Sequence, residues 1–166
     1  TGRAAVTAGE VFDPSPKNID ARTQTFTLGS GLKVSLLPKK TRGGTVVFNA
    51  DFRFGDLDSI RRSPPPAASF AGGMLMRGSK TLSREQIDKR FEELKTSGGV
   101  SGGTQGADIA LQSRRGELAQ ALALAADILR NPAFPESEFE QLRLQAITGL
   151  EAARKETVET HGHASA

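Results

Sequence analysis

The apolar residues of this chain fall into three alternating runs, followed by four stretches with helical spacing. In TQTFTLGSGLKVSLLP, Phe26 and Leu28 alternate with threonine, Gly29-Ser-Gly31 turns the chain, and Leu32, Val34 and Leu36 alternate again. Strict alternation on both sides of a glycine turn predicts a β-hairpin. The third run, TVVFNADFRFG, sets Val46, Phe48, Ala50, Phe52 and Phe54 on one face and Asn49, Asp51 and Arg53 on the other. One buried and one polar face predict an antiparallel sheet. The hairpin and this strand are expected to share it, with Phe48, Phe52 and Phe54 under the helices. Residues 1–21 show little periodicity and read as an arm or linker.

A first helix is expected over Ser69–Arg77, with Phe70, Met74 and Arg77 at helical spacing and Gly78 as a left-handed closing residue. It carries Gly72 and Gly73 in its middle, each costing about 1 kcal/mol relative to alanine. The next helix is marked by Ser83 and Gln86, a capping box, and by an Ile87, Phe91, Leu94 stripe. Gly98 is expected to end it. After the glycine-rich VSGGTQG, residues Ala107–Ser113 read as a strand. Glu117–Arg130 then presents Leu118, Leu122, Ala125 and Leu129 inward and stops before Asn131-Pro132. Pro135 opens a last helix with Phe139, Leu142, Ala146, Leu150 and Ala153 on one face. The order predicts an α+β domain over residues 22–156, an antiparallel β-sheet with helices packed on one face, and a flexible tail over 157–166.

Composition narrows the chemistry. Across 166 residues, 37% are apolar and 25% charged, which is ordinary for a folded domain. Cysteine is absent, so disulfides, thiolate metal sites and cysteine nucleophiles are excluded. The net charge is +3, with basic residues scattered as pairs, and nine Phe stand without Tyr or Trp. Stacking platforms for nucleic acid are therefore missing. No run of about 18 apolar residues exists to span a membrane. The opening TGRAAVTAGE lacks the layout of a signal peptide. His161 and His163 stand two apart in the polar tail without a third ligand, which fits a solvated tail better than a metal site. No serine has a histidine base nearby in sequence, and SGGTQG neither follows a strand nor opens a helix as a phosphate loop does.

Two segments carry a family resemblance. GLKVSLLPKK, a strand, then ASFAGGMLMRGSKTLS and a capped helix resemble the pitrilysin and insulinase-type zinc metallopeptidases, whose active domain carries His-x-x-Glu-His on a helix. NPAFPESEFEQLRLQAITGLEAARKE is similar to the segment that holds the family's third zinc ligand. On this alignment Ser69 and Gly73 replace the zinc histidines, Gly72 replaces the general-base glutamate and Gly149 replaces the ligand glutamate. The resemblance thus implies an inert half with no catalytic residue, no metal and no cofactor of its own, zinc being held by a preceding or partner active half. It implies a bacterial, periplasmic two-half protease in which this half walls the substrate chamber, with Ser69, Gly72, Gly73 and Met76 as candidates to line it. The partners implied are the active half and a peptide substrate. A stand-alone scaffold or assembly subunit, like the inert core proteins of respiratory complexes, is the alternative. Family domains continue with further strands after the last helix seen here, so a domain cut short at its C-terminus is expected.

Overall fold

The computed structural model describes residues 8–62 and 65–162; for residues 59, 65, 66 and 156–162 it describes the backbone alone. The chain divides into two compact units, Thr1–Val46 and Val47–Ala166.

In the first unit a short helix, α1 (Pro16–Arg22), forms inside the stretch read as an arm. Its start is explained locally. The Ser15 hydroxyl accepts the Asn18 N–H, and Pro16 occupies the first turn, where its missing N–H costs nothing. Arg22 pairs with Glu10 at 2.9 Å, and the Arg22 and Lys39 cations sit 5.4 and 4.9 Å from the centre of the Phe12 ring. The hairpin forms as expected. Strands β1 (Gln24–Thr27) and β2 (Lys33–Leu36) pair antiparallel with Phe26 opposite Val34 and Gln24 opposite Leu36, and Gly31 turns at φ +85°. Phe26, Leu28, Leu32 and Leu36 nonetheless stay between 42 and 46% exposed.

The second unit is built on a three-stranded sheet in the order β3-β5-β4: β3 (Thr45–Arg53), β4 (Ser97–Gly102) and β5 (Gly106–Arg114). The expectation of one shared sheet is corrected here. The hairpin is a two-stranded sheet of its own, and β3 bonds to β5 instead. Alternation reveals which segments are strands but not which edges they join. Strand β4, missed in the sequence, runs antiparallel to β5 with Val100 opposite Ile109 and Gly98 opposite Leu111. Along β5, Ala107, Ile109, Leu111 and Ser113 are buried while the residues between them face out. In β3, Phe48, Ala50 and Phe52 pack against the core, as predicted. Phe54 does not: it lies beyond the strand's last residue and is 73% exposed. Because Phe52 is only partly covered, Phe52→Ala is expected to cost about 2 kcal/mol, below the 3–5 kcal/mol of a fully buried ring. Urea melts read that difference.

Helices α2 (Leu57–Arg62), α3 (Pro65–Met74), α4 (Arg84–Glu93), α5 (Leu118–Arg130) and α6 (Glu136–Gly162) complete the unit. The core joins Leu75, Ile87, Phe91, Leu94, Val100, Ile109, Leu111, Ala121, Ala125 and Ile128. Helix α4 shows the complete capping box and buries Ile87, Phe91 and Leu94. It does not run on to Gly98. The Thr96 N–H bonds the Phe91 carbonyl and the Lys95 N–H that of Glu92, with Lys95 at φ 49°, so a lysine takes the left-handed closing position. Gly98 sits inside β4. In α5 the deepest residues are Ala121, Ala125 and Ile128, with Leu122 and Leu129 partly buried beside them. The last helix continues to Gly162, into the expected tail, and residues 163–166 lie outside the described ones. Leu150, expected on its buried face, is 72% exposed.

The turn after α3 is tied to α5. Asp127 accepts from the Thr81 hydroxyl and the Asn131 amide, each at 2.9 Å. The hydrogen bond from Asn131, then those from Thr81 and Ser79, hold its carboxylate below the ordinary aspartate pKa. A lowered folded pKa contributes stability that is present above the unfolded value and lost as pH falls through the folded one. Stability should therefore drop on acidification below about pH 4. In Asp127→Asn that part of the pH slope should be missing from denaturant melts.

Candidate functional site

Helix α3 carries three of the four positions that the resemblance singles out, and the fold gives them different surroundings. Its N-terminal part leaves Ser69 exposed on the surface. Gly72 is buried against the end of β4: a Cβ built on it would lie 2.0 Å from the carbonyl oxygen of Gly102 and 2.4 Å from the carbonyl carbon. Gly102 is the reciprocal half of this contact, since its own Cβ would stand 3.2 Å from the Gly72 Cα. Helix backbone and strand backbone thus meet without a side chain between them. Gly73, one residue on, faces the other way, with a Cβ position 3.2 Å from Leu142 Cδ2 of α6.

After Met74 the helix tightens into one 3₁₀ turn, Leu75–Arg77, and Gly78 follows at φ 150°, ψ 142°. That conformation is extended in ψ, so Gly78 ends the helix without the left-handed closing geometry expected of it. The 3₁₀ turn aims Met76 at β4. Its Sδ accepts the Val100 N–H at 3.4 Å, and its terminal methyl would lie 3.0 Å from a Cβ on Gly99. Arg77 is carried to α6, where Nη1 meets Glu138 Oε2 at 2.8 Å and Nη2 meets Gln145 Oε1 at 3.2 Å. The Arg77 and Glu138 side chains are only 12 and 13% exposed, and Arg84 joins the same carboxylate at 3.4 Å. The tilted Phe70 and Phe139 rings, 5.6 Å apart, complete the α3–α6 seam.

The fourth position, Gly149, is on the exposed part of α6 with nothing within 4 Å of its Cβ direction. The set does not fit a zinc ion. Three of the four residues have no side-chain donor, and a lone serine hydroxyl cannot complete a tetrahedral site. Among the described residues no three His, Cys, Asp or Glu side chains gather as a metal site requires. His163 lies outside the described residues, as does the side chain of His161.

The sequence did not show that Gly72 and Gly102 meet, nor that Arg77 and Glu138 pair across 61 positions. It also missed an apolar hollow of about 600 Å³ beside α3, walled by Phe70, Met74, Phe134 and Phe139. A partial signal for it was present in Phe70 and Phe139, both at core spacing in their helices. No described helix is long and apolar enough to cross a membrane.

No family model matches the sequence, and no curated protein does. Solved structures do share the fold. A peptidase M16 inactive domain from Pseudomonas fluorescens superposes with a TM-score of 0.61 at 22% identity, over 78% of this chain and 31% of that one. A protease from Helicobacter pylori gives a TM-score of 0.55 at 18% identity, over 74% of this chain and 29% of the other. The chain spans under a third of the length of either structure.

Proposed function

We propose that this chain is part of the non-catalytic half of a zinc metalloendopeptidase-like protein, with residues 22–156 forming its peptidase-like domain. The observation that carries the reading is the fold, shared with a peptidase M16 inactive domain; the sequence resemblance adds to it by aligning Ser69, Gly72 and Gly73 of α3 with the ligands and base of the active helix. Without imidazole or carboxylate there, no water can be activated on this side. Zinc would belong to an active half, in the same chain or on a partner subunit. This half would wall the chamber and contact the peptide, and its periplasmic address rests on the resemblance alone. Gly72 and Met76 are engaged with β4, so the surface offered to a peptide is best sought at Ser69, Gly73 and Gly149.

The test uses the intact parent protein. Ser69→Trp and Gly149→Trp place bulk on exposed helix positions, so folding and zinc content should be retained. Turnover of a long peptide is expected to fall severalfold while that of a short one holds. Unchanged kinetics in folded, zinc-loaded variants would remove the chamber role and favour a scaffold or assembly subunit.

A further inference from the structure

A second hollow, of about 540 Å³, adjoins the first along α3, sharing Ala71 and Phe134 with it, where the ends of β3, β4 and α5 converge. Its volume is in the range of small-ligand sites. Phe52, Leu75, Ile109, Leu129 and Phe134 supply the walls. Every other lining side chain is hydrocarbon or absent, save one: Arg130, in the last turn of α5. Arg130 is exposed, and no salt bridge among the described residues reaches it.

From this we infer a binding site for a small amphiphile, a medium-length acyl chain ending in a carboxylate. The chain would be withdrawn from water against the phenylalanine and leucine walls, and the head would meet the guanidinium, which matches a carboxylate with two parallel N–H donors. A peptide fits this hollow less well. Each of its amides needs a hydrogen-bond partner once it leaves water, and no lining side chain except Arg130 offers one. The hollow touches Gly72 but none of Ser69, Gly73 and Gly149, and the inference does not rest on the inert-half reading.

Dodecanoate, kept below its micelle concentration, is the probe, titrated into the full chain labelled at Ile and Leu methyl groups. Shifts are expected at Ile109 and Leu129, with dodecyltrimethylammonium binding at least tenfold more weakly. Arg130→Gln alters an exposed residue and should fold normally, yet weaken dodecanoate about tenfold, as loss of a charged hydrogen bond does. Equal affinity of the two amphiphiles, an unchanged constant in Arg130→Gln, or shifts confined to the exposed leucines of the hairpin would each overturn the assignment.

Discussion

Gly72→Ala is expected to destabilise the protein by about 3 kcal/mol, although alanine is the better helix former by about 1 kcal/mol. The added methyl would fall 2.0 Å from the Gly102 carbonyl oxygen, and that atom belongs to backbone held in a sheet. It cannot swing aside as a side-chain end could, so α3 must lift from β4 and loosen Leu75 and Val100 in the core. Gly73→Ala is the control. Its methyl meets the flexible end of Leu142 at 3.2 Å, so a small shift and the propensity gain should leave stability within about 1 kcal/mol of the parent. Gly149→Ala, with open space around it, should be neutral or slightly stabilising. Urea melts of the three variants rank them. A Gly72→Ala protein as stable as the Gly73 variant would mean that helix and strand are not in backbone contact.

The same contact shows where sequence reading stops. Elements whose signal is local were legible: the hairpin from alternation about Gly29–Gly31, and α4 from Ser83, Gln86 and its apolar stripe. Strand β4 was not, because Ser97-Gly-Gly-Val-Ser-Gly102 has one large apolar residue and glycines that normally weaken a strand. Its glycines answer to neighbours distant in sequence: Gly98 passes under the Ala110 carbonyl, Gly99 lies beneath Met76, and Gly102 meets Gly72. Each is required by a partner that no local pattern names. The positions that the resemblance singles out in α3 lie in one contiguous stretch of sequence. That one of them, Gly72, packs on the strand and the next, Gly73, on α6 was not legible, because two adjacent glycines read identically until their partners are known. The half-exposed hairpin face has the same origin, for alternation around Phe26 and Leu32 records that one face is apolar but not what it meets.

The buried pair between the turn after α3 and the start of α6 should give the second large effect. Glu138→Ala leaves the Arg77 guanidinium, 12% exposed, with the Gln145 amide as its one remaining side-chain acceptor among the described residues, and Arg77→Ala leaves the carboxylate to the more distant Arg84. Removing one partner of a buried pair strands a charge that has already lost its water, so either change should cost about 2–3 kcal/mol. The pair in itself is worth far less than that, since bringing both charges out of water offsets most of their attraction; the double replacement Arg77→Met, Glu138→Leu should therefore recover much of the loss. A surface pair such as Arg143–Glu140, nearly half exposed on both sides, should by contrast give less than about 1 kcal/mol when broken. Denaturant melts of the two alanine singles and of the Arg77→Ala, Glu138→Ala double form a mutant cycle, read at low and high salt. A coupling of 1–2 kcal/mol that survives high salt is the expected result, because ions screen buried charges poorly. Additive singles, or a coupling erased by salt, would show that apolar contacts such as Phe70–Phe139 and Gly73–Leu142, rather than the ion pair, hold α6 to α3.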